Sequence, residues 1–243
     1  ISDNRLGVYS KKAPSIIITH QLNVLSGSTT WLSTALHKKY IERFNECWVP
    51  DFVGAHNLSG KLGHPKKQVT TTKYIGPLSR FNNKTLPKKY DLMVLLSGPE
   101  PQRTILEQIL LKALKRFSGS VVFVQGVLSE EQTIEKKDNM VIYNFMTSKL
   151  LEKTINESEL ILSRSGYTTI MDLAKLNKKA FFIPTPGQFE QEYLAKRLTE
   201  QCLVPSCNQE DFKIEKLQET QNYNGLKFES SERNFEMLFA SLF

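Results

Sequence analysis

Leu160-Ile161-Leu162-Ser163-Arg164-Ser165-Gly166-Tyr167-Thr168-Thr169-Ile170-Met171-Asp172 is the stretch on which the fold turns. Residues 160–163 have the length and apolarity of a buried strand. Residues 167–176 carry helical spacing, with Ser165-Gly166 at the helix start. A strand that passes through a short polar turn into a helix is one step of a β-α-β alternation, and the pattern repeats on both sides. Downstream, the reading predicts a strand over 180–183 stopped by Pro184, a helix over 189–201, a short strand at 203–204 and a helix over 211–220. Upstream, it predicts a strand over 91–96, the turn 97–101, a helix over 102–116, strands over 121–125 and 140–143, and a helix over 149–156. Strands alternating with helices of this length imply an α/β fold with a parallel sheet covered on both faces.

The first third is less regular. Residues 15–19 read as a β-branched strand ending at His20. Residues 28–45 have helical spacing through Trp31, Leu32, Ala35, Leu36, Ile41 and Phe44, with Ser28 or Thr29 as N-cap. A strand follows over 46–49. Residues 51–73 are polar, contain three glycines and a proline, and read as a loop. Residues 74–77 end a short strand, and 78–89 connect onward. At the far end, residues 230–243 place Phe235, Leu238, Phe239, Leu242 and Phe243 on one helical face, a stripe that reads as packing against the protein's own core.

Composition narrows the function classes. With 243 residues, 40% hydrophobic and 23% charged, the chain has the makeup of a globular protein of one large or two small domains. No apolar run reaches the roughly 18 residues that cross a bilayer. Three cysteines do not make a disulfide scaffold and fit a reducing, cytoplasmic setting. Residues 1–90 hold 14 lysines and arginines against 4 acids, a net of +10. The remainder holds 18 against 21, a net of −3. One-sided basic charge points to a polyanionic partner near that end or to a solvated basic surface. No nucleic-acid-binding signature accompanies the lysine pairs, so nucleic acid is not expected as a partner.

Open parallel sheets bind ligands in the loops beyond the carboxyl ends of their strands, which selects three segments. Ser97-Gly98-Pro99-Glu100-Pro101 is a small-residue turn into a helix, suited to an anion, although Glu100 would repel phosphate unless it points away. Arg164 to Asp172 supplies a fixed cation, hydroxyls at Ser165, Thr168 and Thr169, a permissive Gly166, and an acid able to accept ribose hydroxyls. The alternative there is a Ser/Thr cap with Asp172 on a solvated face. Pro184 to Glu192 is a rigid loop followed by amides and carboxylates that suit sugar hydroxyls or merely open a polar helix.

These residues resemble a known family. Ser163-Arg164-Ser165-Gly166-Tyr167-Thr168-Thr169, then Asp172-Leu173, Ile183-Pro184 and Glu190-Gln191, at these spacings, are similar to the C-terminal domain of family 28 glycosyltransferases. The best-known members of that family are the MurG-type UDP-N-acetylglucosamine transferases of lipid-linked peptidoglycan synthesis. The resemblance implies a GT-B architecture of two Rossmann-like domains. The expected division is a partial acceptor-side domain and linker over 1–82, a nearly complete nucleotide-sugar-binding domain over 83–228, and a terminal helix over 229–243 that packs back on the first. Either the chain is a fragment or a partner chain supplies the missing part.

The resemblance also implies the site. Ser165, Gly166, Tyr167 and Thr168, with Arg164, would face the diphosphate. Asp172 would hold the ribose, the backbone at Phe145-Met146 the uracil, and Glu190 and Gln191 the donor sugar. Ser97 and Gly98 would approach the diphosphate, although the family carries more glycine there than this chain does. His20, at a strand end, is the candidate base for the acceptor hydroxyl, or a structural histidine. The implied activity is inverting transfer of a sugar from a UDP-sugar to a lipid-linked or cell-envelope glycan, with the UDP-sugar as co-substrate and no cofactor. No Asp-X-Asp motif is present, and no metal is expected. The implied setting is cytoplasmic, at the inner face of the plasma membrane, with the basic first third on anionic lipid. UDP-sugar epimerases and hydrolases share the fold, and a donor-binding subunit completed by a second chain is a further alternative.

Overall fold

In the computed structural model the described residues are 1–27, 30–66, 71–226 and 235–240. Their contacts divide into two compact units. One holds residues 1–78 with the C-terminal helix, and the other begins at Ser79.

The first unit contains a four-stranded parallel sheet, β1 (Ser2–Asp3), β2 (Ile16–Ile18), β3 (Glu46–Val49) and β4 (Thr72–Tyr74), in that spatial order. Helix α1 (Thr30–Ile41) joins β2 to β3. Its expected N-caps, Ser28 and Thr29, lie outside the described residues. One apolar cluster gathers Ile17, Leu22, Ile41, Phe44, Cys47 and Val49, and a second gathers Ile16, Trp48 and Ile75. Alternate residues of β2 and β3 thus feed opposite faces, as the two-residue period of a strand requires. Leu238 packs against the second cluster, and Phe239 meets Trp48 edge-on at 5.5 Å. Leu242, Phe243 and the Phe235 side chain lie outside the described residues.

Among the described residues the second unit holds six strands: β5 (Tyr90–Leu95), β6 (Val121–Val124), β7 (Ile134–Lys137), β8 (Met140–Tyr143), β9 (Ser158–Ser163) and β10 (Lys179–Phe182). Their order is β10-β9-β5-β6-β8-β7, and all but β7 run parallel. Helices α2 (Gln102–Leu114), α3 (Ser148–Asn156), α4 (Tyr167–Lys175) and α5 (Phe189–Glu200) make the crossovers. Leu106, Leu110 and Leu114 of α2 lie four apart, on one face, and are fully buried against Leu92, Val94, Val121 and Phe123 of the sheet. Each such leucine contributes roughly 1.5–3 kcal/mol of apolar burial.

Several sequence expectations shift. Residues 134–137 read as a polar stretch but form β7, an antiparallel edge strand. All four of its residues are exposed, so it has no alternation to reveal it; the reversal at Asp138 (φ 51°) supplies the pairing. The helix expected over 211–220 is a 3₁₀ segment, Ile214–Asn222, with Leu217 and Thr220 buried three apart. The strand at 203–204 is replaced by a single bridge between Phe182 and Ser206. The loop over 51–73 contains the 3₁₀ turn Gly60–Leu62 and the start of β4. Among the described residues no helix is long and apolar enough to cross a membrane.

Candidate functional site

Strand order reverses between β5 and β9, the first and fourth parallel strands of the second unit. A crevice at such a switch point is where open α/β sheets bind ligands. The register places Leu95 opposite Ser163, and Ser163 opposite Phe182. The loops at Ser97, Arg164 and Ile183 therefore leave the sheet side by side.

The loop after β5 is held from below. Arg103 is buried and pairs with Glu100 and Glu107, each at 2.6 Å, while its Nη1 also donates to the Gln125 carbonyl. The carboxylate that sequence reasoning set against phosphate is thereby turned onto Arg103. Its other oxygen accepts the Thr104 N–H at 3.2 Å. Ser97 and Gly98 are left exposed, Gly98 at φ 109°. Gly126, after β6, has φ 73°, and a Cβ there would stand 2.3 Å from the Leu96 carbonyl oxygen. Only glycine permits this close approach beneath the loop.

At the second loop, Gly166 is the N-cap of α4, with extended backbone and no side-chain hydrogen bond to the helix start. A Cβ at Gly166 would meet nothing within 4 Å, so the approach to the first N–H groups of the helix is open. Thr168 is exposed. Ser165 is fully buried, and its hydroxyl donates to the Gln191 carbonyl at 2.8 Å. Tyr167 is also buried, so its backbone rather than its ring belongs to the open side.

Arg164 departs from expectation. Sequence reasoning cast it as a cation facing the diphosphate. It is 2% exposed and points inward, its Nη1 donating to the Ile183 and Pro184 carbonyls and its Nη2 to the Gln102 carbonyl and Gln209 Oε1. Burial pushes the guanidinium down to about 10. It ties the start of α2 and the loop after β10 to its own loop, a structural task.

Asp172 is half-buried on α4. Its Oδ1 accepts the Ser79 hydroxyl at 2.6 Å. Burial raises its pKa above the usual carboxylate value, with Ser79 and Arg80 opposing. Gln191 folds back onto the loop after β10. Its Oε1 accepts the Thr185 N–H and its Nε2 donates to Gln188, both at 2.9 Å. Glu192 accepts the Gly187 N–H at 2.8 Å, and Glu190 is half-buried beside them. Thr185 is 2% exposed, and its hydroxyl is a buried polar atom without a hydrogen-bond partner. Met146 is half-buried just past β8.

The glycosyltransferase family 28 C-terminal domain profile matches residues 102–237, more than half of the sequence. The chain belongs to glycosyltransferase family 28. Curated relatives include the UDP-N-acetylglucosamine–N-acetylmuramyl-(pentapeptide) pyrophosphoryl-undecaprenol N-acetylglucosamine transferases of Haemophilus ducreyi and Buchnera aphidicola subsp. Schizaphis graminum. The first is 24% identical over 195 residues, covering 77% of this chain and 51% of the relative. The second is 26% identical over 196 residues, covering 78% and 51%. The chain thus spans about half the length of the curated relatives it matches. Among solved structures, Acinetobacter baumannii MurG aligns with a TM-score of 0.50 at 16% identity, covering 84% of this chain and 56% of that one. The calicheamicin glycosyltransferase CalG4 aligns with a TM-score of 0.56 at 9% identity, covering 86% and 60%. The fold is of the GT-B type, and the chain covers part of it.

Within this family 28 member, the second unit gathers Ser97, Gly98, Arg164 to Thr168, Glu190 and Gln191 around adjacent strand ends. Asp172 follows on α4 and Met146 lies past β8. His20 belongs to the first unit, just past the carboxyl end of β2. Sequence reasoning missed Ser79 and Gln209, whose partners are remote in sequence, and the pairing of Arg103 with Glu100 and Glu107. It also missed Asp51 and His64 of the first unit. Asp51 is fully buried. It accepts the backbone N–H groups of Phe52, Leu58 and Ser59 at 2.7–2.8 Å, the Ser59 hydroxyl, and His64 Nε2 at 3.2 Å. The His64 ring stacks on Tyr74 with centroids 4.5 Å apart. The available signal was position: Asp51 sits at the end of an apolar strand, where a parallel sheet places functional groups. Among the described residues no group of three or more histidine, cysteine or acidic side chains is arranged to hold a metal ion.

Proposed function

We propose that the second unit binds a UDP-sugar. On this reading the chain serves an inverting, metal-independent transfer of a sugar, of the N-acetylglucosamine type, to a lipid-linked or cell-envelope glycan. The observation that carries the reading is the open start of α4, flanked by Asp172 and the Ser165–Gln191 pairing, inside the segment that matches the family.

In this reading the N–H groups at the start of α4, from Gly166, Tyr167 and Thr168, face the diphosphate. They stabilise its charge as the glycosidic bond breaks. Ser97 and Gly98 approach from the neighbouring loop. Asp172 exchanges the Ser79 hydroxyl for the ribose hydroxyls. The backbone at Met146 holds the uracil, and Glu190 and Gln191 contact the sugar. Arg164 acts as a positioning residue that fixes these loops. His20 takes the proton of the acceptor hydroxyl. The setting is the cytoplasmic face of the plasma membrane, where the net charge of +10 in residues 1–90 favours anionic lipid. Vesicle binding that is absent, or insensitive to salt, would count against that placement.

Isothermal titration with UDP tests the site. Asp172→Ala should weaken UDP by about tenfold or more, the worth of hydrogen bonds to a charged acceptor. Unchanged affinity overturns the assignment. Incubation with UDP-sugars alone tests the chemistry. UDP release or an epimer without an acceptor would replace transfer with the hydrolase or epimerase reading. Turnover that waits on an acceptor glycan supports transfer.

A further inference from the structure

The amino ends of β2 and β3 carry a feature that the proposed reaction does not use. Parallel sheets bind substrates at their carboxyl ends. At the opposite end of the first unit's sheet lies an open cleft of about 740 Å³, lined chiefly by Tyr9, Ser10, Lys11, Lys12, Arg43 and Asn45. Among the described residues no carboxylate lines it. Lys11, Lys12 and Arg43 have no ion pair among the described residues. Glu46, the first residue of β3, is engaged by Lys73 at 2.6 Å and by the Trp48 indole at 2.7 Å.

The walls are built rather than loose. The Ser10 hydroxyl accepts the N–H groups of Lys12 and Ala13, and the Ser10 N–H donates to Ser15 Oγ at 2.8 Å. The Ser15 N–H donates to Asn45 Oδ1 at 2.7 Å, and the Asn45 N–H returns to the Ser15 carbonyl at 2.8 Å. Arg43 lies over the Tyr40 ring at 4.4 Å and the Tyr9 ring at 5.8 Å, while Tyr9 packs edge-on against Phe44. Contact with the aromatic rings restrains the guanidinium, whose N–H groups can still serve a ligand. A guanidinium lining the same cleft as two lysines, with no acid among the lining residues, matches a phosphate group.

We infer that this cleft is an anion site for a phosphate-bearing ligand, with Arg43 as the oriented donor and Lys11 and Lys12 as its charge partners. The phosphate belongs either to a soluble molecule or to a lipid headgroup, and the test separates the two. Inorganic phosphate and pyrophosphate are titrated against the chain by calorimetry. Vesicles of phosphatidylcholine with and without phosphatidic acid are assayed by co-sedimentation.

Arg43→Gln should lower the affinity of whichever probe binds by about tenfold or more, as loss of a charge-assisted pair implies. Arg43→Lys should recover only part of it. The Lys11→Gln/Lys12→Gln double variant, at exposed positions, gives the same direction and stands in if Arg43→Gln lowers the melting temperature. Lys112→Gln/Lys115→Gln, on α2 and just beyond it, is the charge-matched control and should change nothing. Arg43-dependent binding of the soluble probes alone assigns a free phosphate ligand. Arg43-dependent binding of the acidic vesicles alone assigns a lipid headgroup. The inference is overturned if no probe binds, or if the control variant weakens binding as much as Arg43→Gln and the double variant do.

Discussion

Replacing Arg164 with methionine separates a structural arginine from a ligand-facing one. The wild-type guanidinium makes four hydrogen bonds to three carbonyls and one amide oxygen, all beneath the surface. Hydrogen bonds from a charged donor contribute about 1.5–3 kcal/mol each. Desolvation opposes them, strongly enough to push the guanidinium down to about 10. A buried acceptor that loses its donor costs about 1–3 kcal/mol. Methionine fills much of the volume but withdraws these four donors, so a loss of about 3–5 kcal/mol is expected. For a unit of this size that is a fall of roughly 10 °C in melting temperature.

The assay can localise the loss. Both tryptophans, Trp31 and Trp48, lie in the first unit. Urea unfolding followed by tryptophan fluorescence should be unchanged in Arg164→Met, while the far-ultraviolet dichroism transition moves to lower urea. UDP affinity, measured well below the transition, should fall only modestly, through loosened loops. Unchanged stability with a tenfold or greater loss of UDP affinity would refute the inward assignment and restore Arg164 as a phosphate ligand.

Two further substitutions probe the same packing logic. Gly126→Ala drives a Cβ into the Leu96 carbonyl at a left-handed backbone and should cost about 3 kcal/mol or more. Gly98→Ala meets open space and should cost only about 1–2 kcal/mol of backbone strain. Equal losses in the dichroism transition would contradict the close approach. In the first unit, burial alone would raise the Asp51 carboxyl. The hydrogen bonds from His64, Ser59 and the Leu58 and Ser59 N–H groups outweigh it and hold the carboxyl below its usual value. A depressed carboxyl stabilises the fold above the unfolded value of about 3.9 and loses that contribution as pH falls through the lower folded value. Fluorescence-monitored stability should therefore fall below about pH 4 in the wild type, and less steeply in Asp51→Asn. Identical slopes would remove Asp51 from the account.

Much of the second unit was legible because its strands are short apolar runs between periodic helices. The strand, turn and helix around Ser163 to Asp172 each carry a local signal, and the glycine at the helix start marks the open backbone. Strand β7 was not legible, since an exposed edge strand such as Ile134–Lys137 has no buried face to impose alternation. The direction of Arg164 was not legible either. A sequence shows that a cation follows the strand. Whether it turns outward to a ligand or inward to Gln102 and Gln209 depends on partners 62 and 45 positions away. The same holds for the Ser79–Asp172 contact, which spans 93 positions. The Asp51 loop shows the converse case: five groups converge on one carboxylate in a stretch whose composition reads only as polar.

The central claim is that the second unit recognises a uridine diphosphate sugar. A thermal-shift series across UDP-, GDP- and TDP-sugars tests it most directly, because a ligand that binds the native state raises apparent stability in proportion to its affinity. The account predicts that UDP-N-acetylglucosamine and UDP raise the transition, that the GDP and TDP counterparts do so weakly or not at all, and that Asp172→Ala, which lacks the ribose contact, diminishes the uridine shift. An equal shift for all three bases, or none for the uridine series, would contradict it.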